Sequence, residues 1–318
     1  MVLNMVFKVE KFLGFLESVN KLKSLCRTGW LLRGIVNAET VGAHSWGMAL
    51  MALKKEKELR KLNVNMLRII EMCLLHDVGE CVVGDIIPEE HQVDKIIISN
   101  IEKKNKEFEA INYLASYYNF NKLKDVFVEY EEQKTLEAIV VKNLDKLDML
   151  LQAYEYILEY NNSSLNEFME FNEKNVTLDI FREDLNEIKL RQYEKKCKEN
   201  EFIDFQLNER VLKNKVRDEM VDTYASHCFE CGIIALYLED ELKKLGFDIE
   251  KILKYLIVKN LDSKLVLDYK ISEDEKIILN DIEVFENICT LKVKDKSNTK
   301  ITYYKDLIKS NLFLKLIN

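Results

Sequence analysis

The amino-acid sequence predicts an all-α protein, and two observations carry that prediction. Its 318 residues include one proline and nine glycines, so residues that break helices are scarce. Apolar residues also recur at the three- and four-residue spacing of amphipathic helices along almost the whole chain. A chain of this length can build one large or two ordinary domains, each with a sizeable core.

Helical spacing places the elements in chain order. Apolar side chains from Val2 to Leu16 predict the first helix. Two more helices are expected at 44–62 and 64–76, joined by a short polar turn. Long amphipathic patterns follow at 92–118 and 131–160.

Two segments depart from this helical pattern. The segment 82–90 holds the only proline, Pro88, and is expected to be a loop. At about 288–304, apolar and polar residues alternate on both sides of a polar turn. This alternation favours a small two-stranded β-hairpin.

Composition narrows the classes of partner. A net charge of −8 disfavours non-specific nucleic-acid binding, which needs clustered Lys and Arg. No apolar run approaches the roughly 20 residues of a membrane span, and the N-terminal segment is not typical of a secretory signal. Seven cysteines, an odd number, favour a reduced, cytoplasmic protein. We therefore expect neither a nucleic-acid nor a membrane partner.

One pair of cysteines, Cys228 and Cys231, forms a lone CxxC beside His227. A structural zinc site normally needs two such pairs. Two small, half-buried helix residues are therefore the preferred interpretation, ahead of a metal or redox site.

The chain matches itself when it is displaced by 183 residues. In that register His44 falls on His227, and Arg27 falls on Arg210. Helices rich in Leu, Lys and Glu can match by chance, but the paired His and Arg favour an internal duplication.

The second copy lacks polar residues of the first. A site that needs neutral imidazole and carboxylate ligands cannot form around a lysine ammonium. The sequence therefore predicts a catalytic domain at 1–196 and a non-catalytic domain at 197–318, with the boundary in the charged segment 193–200. The replaced residues are His76 by Lys259, Asp77 by Asn260 and Glu80 by Ser263.

Two of the four histidines, His44 and His76, stand in apolar helical segments. Taken alone, His44 would more often be a hydrogen-bonded core residue than a ligand. His76 differs because Asp77 follows it at once, at what should be the buried end of a helix. Burying a carboxylate there is costly unless something compensates, and a divalent cation is a strong compensator.

Further carboxylates occur where the rim of an active site is expected. Glu80 lies about one turn beyond the histidine and aspartate pair, and Asp85 follows in the proline-containing loop. The pattern around Asp145 places it within a helix, where Asp has poor propensity, and Asp148 is one turn further along. The structural alternative for Asp145 is an N-cap or an exposed face.

His44, His76, Asp77 and Asp145 together form a mixed nitrogen and oxygen set. Such a set suits Mn, Fe, Co, Ni or Zn. A bound metal would polarise a phosphoryl oxygen and acidify a water, which Glu80 is placed to orient or deprotonate.

A phosphate also needs hydrogen-bond donors. Arg27 and Arg33 lie just upstream of His44, and a guanidinium fork binds phosphate oxygens bidentately. The alternative for each arginine is a solvated surface residue.

These motifs resemble the HD-domain phosphohydrolase superfamily, and closely its 5′-deoxynucleotidase branch. The HD dipeptide alone is weak, but the ordered set of RTGW, a histidine, HDxxE, GD and a distant LD is specific. The resemblance covers roughly residues 5–195. The matching strings are RTGWLLRGIVNAETVGAHSW (27–46), LLHDVGECVVGDIIP (74–88) and VKNLDKLDMLLQAYEY (141–156).

The resemblance implies an HD-domain helical bundle with one divalent transition-metal ion, Mg being less favoured. It implies that Glu80 serves the nucleophilic water, that Asp85 contacts the sugar side of the substrate, and that Arg27 binds the phosphate. Arg33 is a further candidate for substrate binding because of its position upstream of His44. Trp30 would pack near the base, although core burial explains a Trp equally well. The implied metal ligands are His44, His76, Asp77 and Asp145.

The function implied is hydrolysis of a 5′-deoxynucleoside monophosphate. Three alternatives stay open: another HD phosphohydrolase acting on nucleoside triphosphates, cyclic nucleotides or guanosine polyphosphates; a nucleotide-binding regulatory protein with slow or absent catalysis; and a purely structural helical scaffold. The resemblance implies a homodimer, whereas this chain carries about 120 further C-terminal residues. We therefore expect either a homodimer or an internal pseudo-dimer in which the second copy takes the place of a partner subunit.

Overall fold

The computed structural model describes residues 2–87, 98–162, 164–194, 199–218, 220, 222–261, 270–293 and 304–317. Within these ranges the regular structure is helical, with two isolated β-bridges and no strand, so the all-α prediction is confirmed. Two short 3₁₀ turns lie at Lys21–Lys23 and Arg210–Lys213. The α-helices are α1 (Val2–Asn20), α2 (Thr28–Leu31), α3 (Val41–Lys54), α4 (Glu56–Lys61), α5 (Met66–Leu75), α6 (Glu80–Val83), α7 (Asn100–Tyr117), α8 (Asn121–Glu132), α9 (Leu136–Tyr160), α10 (Ser164–Glu173), α11 (Asp179–Lys189), α12 (Glu201–Glu209), α13 (Tyr224–Tyr237), α14 (Glu239–Lys244), α15 (Ile249–Val258), α16 (Glu273–Val293) and α17 (Asn311–Ile317).

Side-chain caps set the starts of the helices that carry the candidate site. Thr40, Asn65 and Thr135 each accept a hydrogen bond from the backbone N–H three residues further on. This N-cap bond satisfies one of the donors that the first turn of a helix leaves unpaired. The caps therefore fix where α3, α5 and α9 begin.

Helix α3 lies at the centre of the molecule. Every residue from Val41 to Leu53 is buried, as expected of a helix that is apolar on all sides. It packs against α5 and α9 on one side and against α13 and α15 on the other. A polar side chain on α3 is therefore held deep in the interior, and His44 is one of these.

The C-terminal region contains helices that match those around this centre in length and spacing. Helices α13, α14 and α15 have the same lengths as α3, α4 and α5 and begin 183 residues after them. Thr223 caps α13 as Thr40 caps α3. Helices α3 and α13 pack against each other, and one apolar core includes residues of both regions.

Upstream of these helices the offset changes from 183 to 190 residues. The segment before α13 is seven residues shorter than the segment before α3. The counterpart of Arg27 is therefore Arg217, and the predicted match of Arg27 with Arg210 is wrong, because a fixed offset cannot register a shorter loop. The bridges that set this register join Cys26 with Thr40 and Val216 with Thr223.

The predicted β-hairpin at about 288–304 is wrong where the structure describes it. Its expected first strand, residues 288–293, lies in α16, and residues 294–303 are outside the described ranges. The residues Ile282, Phe285, Ile288 and Leu291 are all buried. Their three-residue spacing continues the buried face of the helix through the alternating stretch, and this packing overrides the local pattern.

The proline-containing loop is shorter than predicted at its start. Val82 and Val83 belong to α6, and the loop begins at Gly84, which has a φ of 78° that favours glycine. The residues from 88 to 97 lie outside the described part of the chain, as does Ser263 of the predicted repeat. Among the helices that are described, none combines the length and the apolar character needed to cross a bilayer.

Candidate active site

Three predicted ligands meet at the centre of the N-terminal region. His44 comes from α3, His76 from the residue that ends α5, and Asp145 from the middle of α9. All three are buried, and their ligand atoms lie within 4.8 Å of one another. Nε2 of His44 is 3.3 Å from Oδ1 of Asp145. These residues could hold a metal ion.

Two unsatisfied nitrogen atoms indicate that a cation fits between them. Nε2 of His44 and Nε2 of His76 are buried and have no hydrogen-bond partner. Leaving one buried polar atom unsatisfied costs about 1–3 kcal/mol, and here a bound cation would remove that cost twice. Asp77 lies beside them, with Oδ2 at 3.1 Å from Nε2 of His76.

The opposite nitrogen of each ring sets the tautomer. Nδ1 of His44 is 2.8 Å from Oδ2 of Asp148, and Nδ1 of His76 is 3.1 Å from the carbonyl oxygen of Cys73. A carbonyl and a carboxylate accept hydrogen bonds, so the proton of each neutral imidazole lies on Nδ1. Both Nε2 lone pairs then face the centre of the cluster, which is the orientation that metal ligation needs.

Neighbouring cations keep the candidate carboxylate ligands charged. Burial opposes ionisation of Asp145, but the Lys146 and Lys142 ammonium groups hold the pKa of Asp145 well below its usual range. Burial acts in the same sense on Asp77, and the His76 ring in its protonated, metal-free form and the Arg27 guanidinium outweigh it and lower the pKa of Asp77. Both groups are therefore available to a cation as carboxylates.

Glu80 has the opposite electrostatic environment. It begins α6 one turn beyond Asp77 and is buried, and its Oε2 has no hydrogen-bond partner. Burial, reinforced by the Asp77 and Asp85 carboxylates, raises the pKa of Glu80 well above its usual range. A carboxyl group with a raised pKa beside a reaction centre is suited to exchange a proton near neutral pH.

A cavity of about 730 Å³ opens onto His76, Asp77 and Asp145. Its size is typical of small-molecule sites. Guanidinium and ammonium groups that line it together with candidate metal-binding carboxylates suit a phosphorylated ligand. The basic residues that line it are Arg27, Arg33, Lys103, Lys104, Lys142 and Lys146.

The predicted substrate residues on the loops all border this cavity. Nη1 of Arg27 lies 3.1 Å from Oδ2 of Asp77. The carboxylate of Asp85 accepts a hydrogen bond from the backbone N–H of Thr28, and its carbonyl accepts one from the Thr28 hydroxyl at 2.8 Å. These two bonds fasten the loop after α6 to the start of α2 and keep Arg27 above the metal ligands.

Trp30 and Arg33 are held by the protein itself. Trp30 is 2% exposed, donates from Nε1 to Glu39 at 3.1 Å and packs edge-on against Tyr156. Core burial thus accounts for much of Trp30, although it also borders the cavity. Arg33 donates from Nη1 to the carbonyl of Gly29 at 3.0 Å.

The sequence analysis missed several residues that surround the cluster. The hydroxyl of Tyr130 lies 3.3 Å from Oδ2 of Asp145 and accepts a hydrogen bond from Lys142 at 3.0 Å. Nζ of Lys146 is 3.2 Å from the same carboxylate. The two lysines stand beside Asp145 in the string VKNLDKL, so their positions gave a signal, whereas Tyr130 arrives from α8 without one.

The equivalent place in the C-terminal region is filled by an ammonium group. Lys259 stands at the position of His76 in the repeat, and its Nζ lies 3.0 Å from Nε2 of His227 and 2.9 Å from Oε1 of Glu283. Nδ1 of His227 is 2.6 Å from Oε2 of Glu286. No group of ligands able to hold a metal occurs in the C-terminal ranges that the structure describes.

Cys228 and Cys231 lie beside this second cluster as buried helix residues. Both are on α13 and fully buried, and Nδ2 of Asn260 donates to Sγ of Cys228 at 3.2 Å. Burial raises the pKa of both thiols. The pair therefore packs as neutral thiols, and the prediction that they are half-buried is wrong because α13 is enclosed by the core.

Comparison with known proteins places the candidate site in a named family. The sequence matches the family described as HD domain over residues 19–189. It is 39% identical over 132 residues to 5′-deoxynucleotidase HDDC2 of Xenopus laevis, covering 41% of this chain and 61% of that protein. The corresponding protein of Dictyostelium discoideum is 39% identical over 139 residues, covering 41% and 69%. The 5′-deoxynucleotidase YGK1 of Saccharomyces cerevisiae is 33% identical over 133 residues, covering 40% and 57%. The chain spans about three fifths of the length of the first of these relatives.

Proposed function

The chain belongs to the HD domain family, and from this premise we propose that it is a metal-dependent phosphohydrolase that converts 5′-deoxynucleoside monophosphates to deoxynucleoside and phosphate. One observation carries the proposal: Nε2 of His44 and Nε2 of His76, which have no hydrogen-bond partner among the described residues, lie close to Asp145, and His76 and Asp145 line a cavity that basic side chains also line. The names of the relatives, all 5′-deoxynucleotidases, support the substrate class.

The metal centre in this proposal takes four ligands. Two imidazoles and two carboxylates favour Mn, Co, Fe, Ni or Zn over Mg, which prefers oxygen ligands alone. When bound, such an ion polarises a phosphoryl oxygen and lowers the pKa of a water. The ligands are His44, His76, Asp77 and Asp145.

The surrounding residues handle the proton of the attacking water and bind the substrate. Glu80 lies within the same cavity, where it orients the attacking water and exchanges a proton with it through its carboxyl group. Arg27 binds phosphate oxygens with N–H donors of its guanidinium, which the ion pair with Asp77 holds in place. Asp85 contacts the sugar side, while Trp30 and Arg33 border the space for the base.

A turnover assay tests the proposed reaction. Purified protein with Mn²⁺ or Co²⁺ should release phosphate from deoxynucleoside monophosphates and little from triphosphates, cyclic nucleotides or guanosine polyphosphates. Phosphate release from one of the other classes would replace the substrate assignment. Inactivity toward every phosphoester with nucleotide binding retained would favour a regulatory protein and contradict the hydrolase.

We further propose that residues 197–318 are a non-catalytic copy of the first domain and occupy the place of a partner subunit. The equal lengths of the paired helices, the packing of α3 on α13 and the position of Lys259 support this view. Light scattering after size exclusion should then give the mass of one chain. A tight symmetric dimer formed through the N-terminal region would contradict an internal pseudo-dimer.

A further inference from the structure

The residues that orient His44 include two from the C-terminal region. Asp148, which bonds to Nδ1 of His44, is fully buried. Its carboxylate accepts from Nζ of Lys213 at 2.9 and 3.1 Å and also from Nη1 of Arg210. Both cations belong to the 3₁₀ turn Arg210–Lys213, which lies more than 60 residues further along the chain. The orientation of a candidate metal ligand thus depends on a distant segment.

Arg210 and Lys213 are fixed by further contacts. Nε of Arg210 donates to Glu155 at 3.0 Å and Nη2 to Gln152 at 2.7 Å, while Nζ of Lys213 donates to Glu39 at 2.6 Å. The two side chains are 0% and 1% exposed. Cations that are this buried and this fully bonded hold their partner carboxylate in one position.

Helix α3 leaves room for this arrangement at Gly47. A methyl group added there would lie 2.6 Å from Oδ1 of Asp148 and 2.6 Å from Cε of Lys213. A glycine inside a helix is less favourable than alanine by about 1 kcal/mol. Gly47 is needed here because any side chain would collide with Lys213 and Asp148. The equivalent position of α13 holds Glu230, which is a hydrogen-bond partner rather than a gap.

A lysine of the N-terminal region makes the corresponding contacts with carboxylates of the C-terminal region. Lys23, from the 3₁₀ turn of the N-terminal region, lies 2.7 Å from Asp222 and 2.6 Å from Glu230 and also contacts Glu286. Glu286 is the carboxylate that bonds to Nδ1 of His227. Each region therefore sends one lysine to the carboxylate that orients the histidine of the other.

We infer that Lys213 and Arg210 are positioning residues of the N-terminal metal site. They hold Asp148 where it accepts the Nδ1 proton of His44, and this leaves the Nε2 lone pair directed at the cation. Groups that orient a metal-bound histidine in this way typically change metal affinity or activity by 10- to 100-fold when they are removed. The inference rests on the proposed metal-dependent function, and it makes the C-terminal region part of the active site.

The exchanged lysines provide a matched pair of variants. Lys213→Met and Lys23→Met each remove one buried ammonium from a cluster of carboxylates, but only the first cluster touches the candidate metal site. In the full chain, Co²⁺ affinity is measured by competition with a chromophoric chelator. Lys213→Met should weaken it at least about tenfold, and Lys23→Met should leave it within twofold. Equal losses in both variants would overturn the inference.

A second comparison separates positioning from general stability. In the Asp148→Asn background, adding Lys213→Met should cause little further loss of Co²⁺ affinity, since contacts that act through one group are not additive. A further tenfold loss would show that Lys213 acts independently of Asp148 and would contradict the inference. This comparison also serves if Lys213→Met alone does not fold, because the double variant removes both charges of the buried pair.

A third measurement needs neither metal nor turnover. The chain has four histidines, so ¹⁵N-imidazole spectra of the metal-free protein can be assigned by substitution. His44 should carry its proton on Nδ1 in the wild type and lose that single tautomer in Lys213→Met. An unchanged tautomer would overturn the inference. If the wild type binds Co²⁺ but hydrolyses no nucleotide, the proposed function fails while these comparisons still stand.

Discussion

The N-terminal cluster around His44 and the C-terminal cluster around His227 are built on helices of the same length with the same threonine caps. In the first, two imidazole nitrogens lie beside carboxylates and have no hydrogen-bond partner among the residues that the structure describes. In the second, Nζ of Lys259 lies between the imidazole of His227 and the carboxylate of Glu283. Matching helices therefore carry a cluster that could hold a metal ion in one region and a cluster that contains a lysine ammonium in the other.

The lysine of the second cluster also lowers the pKa of the neighbouring histidine. Burial disfavours the charged form of His227, and the Lys259 and Arg217 cations add to this effect, so that the pKa of His227 is lowered to about 3. An imidazole that remains neutral can accept the hydrogen bond from the lysine. The cluster is thus stable as a structural element at neutral pH and has no ligand left for a metal.

The largest expected difference between the clusters comes from replacing the equivalent histidine of each one, His44 or His227. His44→Ala should abolish tight metal binding and reduce turnover by at least about 10³-fold, because the metal contributes several kcal/mol to transition-state stabilisation. His227→Ala should keep both metal content and turnover. Metal analysis and phosphate release measure the two effects. Equal loss in both variants would remove the distinction between a catalytic and a non-catalytic region.

Substitution of Arg27 should affect turnover, whereas substitution of its structural counterpart Arg217 should affect stability. Arg27→Ala should lower kcat/KM roughly 10- to 100-fold, the loss of one or two charge-assisted hydrogen bonds to phosphate. Arg217 is bound to Asp222 and Glu286 in the interior. Arg217→Ala should therefore lower the free energy of unfolding by about 3 kcal/mol with turnover unchanged. Urea unfolding and steady-state kinetics on both variants separate the roles; lowered turnover in Arg217→Ala would contradict them.

Restoring the lost ligands should create a second metal site. The double variant Lys259→His, Asn260→Asp returns the residue types of His76 and Asp77 to the two positions that follow α15, beside His227. We expect bound Co²⁺ to rise from about one to about two ions per chain, since two imidazoles and two carboxylates are a sufficient set. Lys259→His alone serves as the control with an incomplete set. A stoichiometry that stays at one in the double variant would show that the framework of the second cluster does not fit an ion.

The smallest expected effect concerns pH. Between pH 6.5 and about 3, the unfolded chain binds a proton at His227 that the folded chain does not bind. The free energy of unfolding therefore falls as the pH falls below 6.5, by up to about 1.4 kcal/mol per pH unit from this group. Lys259→Met removes one cation that lowers this pKa, so the slope between pH 6.5 and 4.5 should be shallower than in the wild type. Urea unfolding across this range measures it, and identical slopes would exclude the Lys259 contribution.

The proximity of His44, His76 and Asp145 could be predicted from the sequence because these residues lie in segments with clear apolar spacing, while their role as metal ligands stays a prediction. His44, His76 and Asp145 each interrupt a buried face, and a buried ionisable residue needs a partner. The contribution of Asp148 to the His44 tautomer was not predicted, because it depends on the rotation of α9 against α3. Lys213 and Arg210 gave no signal at all, since their contacts join segments more than 60 residues apart.

The wrong match of Arg27 with Arg210 and the wrong β-hairpin prediction have different causes. A fixed offset matched Arg27 with Arg210 because it cannot detect a segment shortened by seven residues before α13. The hairpin was predicted from alternation in ICTLKVK, but Ile288 and Leu291 continue a buried helical face that begins upstream. For the hairpin the deciding information was packing against another part of the chain, which short patterns do not contain.

The exchange of Lys23 and Lys213 takes place within one polypeptide. Its contacts therefore form at any dilution, with no association step that depends on protein concentration. In a symmetric homodimer every substitution would occur in both clusters, and a lysine in place of the second histidine would remove both metal sites together. A tandem chain lets one cluster change while the other keeps its ligands, provided that Lys213 and Arg210 are retained to support it.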